Sequence, residues 1–146
     1  MKLEDQCVSL ELAKKLKERG IEKESLFYYV NIDGEGKYYL YYEEALPEEI
    51  EYEGETISAF TVAELFEMLP AIIDTKQNEP FNCFWFMLNK RRVLKIQYVV
   101  NYHCDTTIFN ERPADLIENN IYGERLPDVL ANMLIYLIEN KFMELP

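Results

Sequence analysis

The chain has 146 residues, enough for one domain, 1–146, with its own core. With 49% apolar and 29% charged residues it has a globular composition, and 27 acidic against 15 basic residues leave a net charge of −12. That field repels nucleic-acid phosphates and anionic membranes, and a single histidine excludes most histidine-based metal chemistry.

The first residues, Met1 to Cys7, carry early acids and no apolar stretch, unlike a secretory signal. No run approaches the roughly 20 apolar residues of a membrane span. Cys7, Cys83 and Cys104 are odd in number and lack CxxC spacing. A reducing, cytoplasmic setting without a disulfide framework is therefore expected. The first predicted helix runs from about Leu10 to Arg19. Ser9 is its N-cap, Gly20 its left-handed stop, and Leu10, Leu12, Ala13 and Leu16 form its apolar face. Two aromatic strands follow, Leu26–Ile32 and Lys37–Tyr42, joined as a hairpin by Asp33-Gly34-Glu35-Gly36. Tyr28, Tyr29, Tyr38, Tyr39, Tyr41 and Tyr42 put aromatic surface on both faces of this hairpin. The connection from Glu43 to Glu55 is acidic, and Pro47 and Gly54 argue against regular structure there.

Thr61-Val62-Ala63-Glu64 is a capping box, with Phe60 and Leu65 placed as the hydrophobic staple of a second helix. Val62, Leu65, Phe66 and Leu69 keep the helical period until Pro70 ends it. Phe81–Leu88 reads as a central strand, Asn89–Arg92 as a turn, and Val93 to about Cys104 as the return strand. On the return strand Leu94, Ile96, Tyr98, Val100 and Tyr102 share one face. The stretch 105–125 is poorly patterned, with a short strand at Phe109 and a helical turn or two from Pro113 to Ile117 as the expectations. A last helix begins near Pro127 and continues to about Lys141. Its stripe is Leu130, Met133, Leu134, Leu137 and Ile138, and Val129, Ala131, Ile135 and Tyr136 make its other faces apolar. Such a helix is buried on several sides or contacts a second subunit, so a homodimer through it is one expectation. The order predicts an α+β fold: an antiparallel sheet of about four to five strands with helices mainly on one face.

Three segments resemble small bacterial proteins of prophages and mobile elements. They are Val8 to Glu18, Ile57 to Leu65 with Met68-Leu69-Pro70, and Met133 to Asn140. Together they cover about a third of the chain, in the expected order. The resemblance implies a phage or mobile-element origin and no particular activity. The matching segments are caps and core, so no functional residue carries over. Phe66, where that family often has Gly, and 117–126 depart from its pattern.

The chemistry-bearing residues are sparse. His103 and Cys104 are too few for zinc and alternate across a strand. A Cys–His nucleophile pair would need Cys7 or Cys83 to meet His103 in space, and no oxyanion loop accompanies them. Gly34-Glu35-Gly36 has acids where a phosphate cradle would bind its anion. Glu48, Glu49, Glu51, Glu53 and Glu55 lack the spacing of a calcium loop and read as a solvated acidic run. The basic cluster Lys90, Arg91, Arg92 and Lys95 reads as a solvated hairpin end. No catalytic residue, cofactor or metal site is expected.

Charge placement is more informative. Residues 1–80 hold 19 of the 27 acids, and residues 33–55 hold nine acids and one lysine. Beside them stand the tyrosines, a residue type enriched at protein interfaces for its large rigid ring and polar tip. The expected function is a non-enzymatic protein-interaction module with a protein partner. Its surface is expected at Tyr38, Tyr39, Tyr41, Tyr42, Glu43, Glu44, Glu48 and Glu49. The alternative is an acidic mimic of DNA that blocks a host nucleic-acid-binding protein. Direct contact with nucleic acid or membrane is not expected.

Overall fold

Helix α1 spans Leu10–Glu18 and stops as its sequence requires. Gly20 takes φ +86°, and the amides of Gly20 and Ile21 bond back to the carbonyls of Lys17 and Leu16. That double closure satisfies the orphan carbonyls of the last turn and turns Ile21 into the core. Ser9 occupies the N-cap with extended backbone, but its hydroxyl makes no cap bond. Its amide is instead held by the Asp128 carboxylate at 2.7 Å, a partner 119 residues away. The computed structural model describes residues 2–32, 36–45, 56–74, 83–92, 96–104, 114–115 and 120–145.

The fold is α+β with antiparallel pairing throughout, and its strands divide between two sheets. The first sheet has the order β2-β1-β3, built from β1 (Phe27–Val30), β2 (Tyr39–Tyr42) and β3 (Thr56–Ser58). The second contains β4 (Ile72–Asp74), β5 (Cys83–Arg92), β6 (Ile96–Cys104) and β7 (Ala114–Asp115) in that order, with β8 (Ile121–Gly123) also on β6. The expected turn Asn89–Arg92 is strand: β5 continues until Arg92 faces Ile96. None of those four residues is a Gly or Pro, so ladder hydrogen bonds outweigh the weak turn preference of polar side chains. Ala114 and Asp115 likewise pair with Cys104 and His103 rather than opening a helical turn. Pro113 gave a helix-start signal there, with no apolar stripe behind it to bury. Phe109 lies outside the described residues.

Helix α2 (Val62–Met68) carries the full capping box: Thr61 Oγ1 accepts from the Glu64 amide, and Glu64 Oε2 accepts from the Thr61 amide at 2.6 Å. Phe60 and Leu65 are both buried in the core, as the staple requires. Thr61→Ala is expected to cost about 1 kcal/mol. Urea unfolding checks it, and an unchanged midpoint would mean the box adds nothing to the fold.

Helix α3 (Leu126–Glu139) is the centre of the molecule. Val129, Leu130, Ala131, Met133, Leu134 and Leu137 are buried, and Ile135, Tyr136 and Ile138 are half-buried against the same cluster. Its last turn closes like that of α1, with the Lys141 and Phe142 amides on the Ile138 and Leu137 carbonyls and Lys141 at φ +59°. One continuous cluster joins Leu12 and Leu16 of α1, Ile57 of β3, Leu65 of α2, Ile73 of β4, Val100 and Tyr102 of β6, and α3. The apolar residues of α3 thus pack wholly or in part within the chain. At Gly123 a Cβ would meet Val129 Cγ2 at 2.8 Å, so only glycine lets β8 lie this close to α3.

A candidate protein-interaction edge

The N-terminal strap positions the first sheet. Cys7 bridges to Thr61, and the Val8 amide bonds to the Phe60 carbonyl at 2.9 Å. The Tyr29 hydroxyl donates to the Val8 carbonyl, also at 2.9 Å, tying β1 to the strap. Arg125 reaches under it, donating from Nη2 to the carbonyls of Cys7 (2.8 Å) and Glu4 and from Nη1 to Asp128 (2.7 Å). Glu64 uses its second oxygen, Oε1, to accept the Leu26 amide at 2.9 Å where β1 begins. A local cap on α2 therefore also anchors the strand that carries β2.

Strand β2 lies at the edge of that sheet. Its register with β1 pairs Tyr42 with Phe27, Tyr41 with Tyr28, Leu40 with Tyr29 and Tyr39 with Val30. Beyond the last pair, the Glu43 amide bonds to the Leu26 carbonyl at 2.9 Å. Antiparallel ladders alternate, so this bond fixes the rest. Tyr41 and Tyr39 exchange their backbone bonds with β1, and Leu40 turns its N–H and C=O, and Tyr42 its N–H, toward the open edge; the Tyr42 carbonyl opens the 3-10 turn that follows. Among the described residues no strand pairs with that edge. The opposite edge, at β3, differs: the Thr56 carbonyl accepts from Lys17 Nζ at 3.1 Å.

The tyrosines divide accordingly. Tyr39 is 49% and Tyr42 39% exposed. Tyr41 is half-buried, and Tyr38 packs on the core with the Lys14 ammonium 4.2 Å over its ring. The Tyr42 ring rests 5.4 Å from that of Phe27. Glu43 and Glu44 are exposed on a 3-10 turn at Glu43–Ala45. Of the eight residues expected at the surface, the structure places Tyr39, Tyr41, Tyr42, Glu43 and Glu44 together at one edge and turns Tyr38 inward. Glu48 and Glu49 lie outside the described residues, as do Glu51, Glu53 and Glu55. Sequence reasoning missed the backbone of Leu40 and the exposed Lys37 preceding β2. Lys37 was visible as the one cation of the acidic stretch, but the ladder parity that matters for Leu40 needs the register.

The side chains of Cys83, Arg91, Arg92, His103 and Cys104 lie outside the described part of the structure, as does Lys95. A cleft of about 550 Å³ lies between Asp5, Thr61, Tyr98, Glu124, Arg125 and Pro127. Among the described residues its one cation, Arg125, is held by Asp128 and two carbonyls, and its other charged walls, Asp5 and Glu124, are acidic. Among the described residues no three His, Cys, Asp or Glu side chains are placed to hold a metal ion. Burial pushes the Cys7 thiol from 9.0 up to about 11; the Glu64 carboxylate adds to this, and Arg125 opposes it. The fold therefore favours the protonated thiol. Its stabilisation is complete below pH 9.0 and is lost as pH rises through about 11. Wild-type stability is expected to fall more steeply across that window than that of Cys7→Ala, measured by urea unfolding at each pH. Parallel curves would contradict this.

No described helix is long and apolar enough to cross a membrane. No protein-family model, curated protein or solved structure matches the chain.

Proposed function

We propose that the chain is a non-enzymatic, cytoplasmic protein-interaction module whose docking surface is the β2 edge. The observation that carries this reading is the coincidence, on one strand, of exposed Tyr39 and Tyr42 with backbone groups of Leu40 and Tyr42 turned toward an open edge. Strand addition supplies main-chain hydrogen bonds, and the aromatic rings supply apolar contact area. Exposed Glu43 and Glu44 at the end of the strand limit promiscuous pairing. The phage or mobile-element origin implied by the sequence resemblance accompanies this reading and adds no chemistry to it.

The test is capture of partners by the full chain from a host lysate at low and high salt, beside Tyr39→Ala. An aromatic contact survives salt, and truncating a central tyrosine is expected to weaken capture at least about tenfold. Capture that disappears at high salt and ignores Tyr39→Ala would overturn this reading in favour of an ionic surface, as a DNA mimic would use.

A further inference from the structure

We propose that Glu64 is the positioning residue of the β2 edge, setting the end of that strand through the backbone of Leu26. This deepens the interaction reading above and rests on it for the use of the edge. The reach-back bond of a capping box needs a single carboxylate oxygen. Here Glu64 Oε2 alone serves it, accepting from the Thr61 amide at 2.6 Å and from the Thr61 hydroxyl at 2.7 Å. Oε1 is therefore surplus to the helix, and it accepts the Leu26 amide at 2.9 Å. The carbonyl of the same Leu26 accepts the Glu43 amide, also at 2.9 Å, just past the pair of Phe27 with Tyr42.

Leu26 is thus gripped on both sides of its α-carbon: its N–H by α2, its C=O by the end of β2. Its side chain adds little to that hold, being 48% exposed. The next residue closes the circuit. The Phe27 carbonyl accepts the Ala59 amide at 2.8 Å, and Ala59 leads through Phe60 back to Thr61. Among the described residues β2 is paired on one side only, so its end depends on what holds β1. A hydrogen bond to a carboxylate is about twice as strong as one between neutral groups. Removing the carboxylate frees the Leu26 N–H and, with it, the orientation of the carbonyl that Glu43 uses.

The test is residue-resolved amide hydrogen exchange of the full chain, with Glu64→Ala, Glu64→Gln and Thr61→Ala. The α3 amides of each variant report its global stability. Thr61→Ala weakens the same cap and leaves the Leu26 bond in place. Glu64→Ala is expected to speed exchange at Leu26 and Glu43 about tenfold relative to Thr61→Ala. Glu64→Gln has one acceptor where two amides need one each, so Leu26 and Thr61 cannot both stay protected. Glu43 should follow Leu26 whichever of them keeps its bond. A Glu43 amide that stays slow while Leu26 is fast, or that follows Thr61, overturns the proposal. So does a Glu43 that changes in Glu64→Ala no more than the α3 amides do. Capture from lysate separates this result from the interaction reading. Loosening at Glu43 with capture undiminished in Glu64→Ala supports the positioning and overturns the use of the edge. Unchanged Glu43 with capture still dependent on Tyr39 overturns the positioning and leaves the edge reading standing.

Discussion

Leu134→Ala is expected to lower the unfolding free energy by about 3–4 kcal/mol. Leu134 is fully buried at the middle of α3. Its helix is packed by α1 and α2 and by β6 and β8 of the second sheet. Truncation removes buried methyl groups and leaves a cavity that elements fixed on several sides cannot collapse into. For a domain whose total stability is of order 5–15 kcal/mol, that is a large fraction. Urea unfolding followed by far-ultraviolet circular dichroism measures it, with the slope unchanged. Asn132→Ala, on the exposed side of the same helix, is the control and should change stability by less than about 0.5 kcal/mol. A loss at Leu134 no larger than at Asn132 would mean that α3 is not the core helix.

Asp128→Ala is expected to cost about 2–3 kcal/mol. The Asp128 carboxylate accepts from the Ser9 amide and from Arg125 Nη1, both at 2.7 Å. It holds the backbone of the N-cap residue Ser9, and it orients the guanidinium that holds the carbonyls of Cys7 and Glu4. Removing it leaves a part-buried N–H without a partner and a cation without its counter-charge, and both penalties fall on the same strap. Asp128→Asn keeps an acceptor for Ser9 and loses only the charge, so about half of the loss should return. Equal losses for the two variants would show that the ion pair alone matters. No loss in either would show that the strap is not held from α3. Because the strap also bonds the Tyr29 hydroxyl, Asp128→Ala is expected to loosen β1, and with it the β2 edge.

What could be seen in the sequence follows from how locally each feature is determined. The capping box at Thr61–Glu64 and the Gly20 stop are complete within a few residues, and both form as their spacing requires. The burial of α3 was visible because apolar residues occupy all its faces. The short strands β3, β4 and β8 span three residues each, too few for a period to show. Their pairing is a tertiary result, and it is β3 that makes β2 an edge by taking the far side of β1. The bond from the Ser9 amide to Asp128 joins residues 119 apart, which no window along the chain can register. Alternation predicted that Tyr38 and Tyr39 point to opposite sides. Which side is inward is decided by α1, whose Lys14 lies over the Tyr38 ring.

The central claim concerns one edge, and residue-resolved amide hydrogen exchange along β2 addresses it directly. The amides of Tyr39 and Tyr41 bond to β1, and those of Leu40 and Tyr42 face the open edge. In dilute protein the account predicts slow exchange at Tyr39 and Tyr41 and fast exchange at Leu40 and Tyr42. On addition of a captured protein partner, protection should appear at Leu40 and Tyr42 and leave the exposed side of α3 unchanged. Leu40 and Tyr42 that remain fast while new protection gathers elsewhere, or that are already slow in dilute protein, would contradict it.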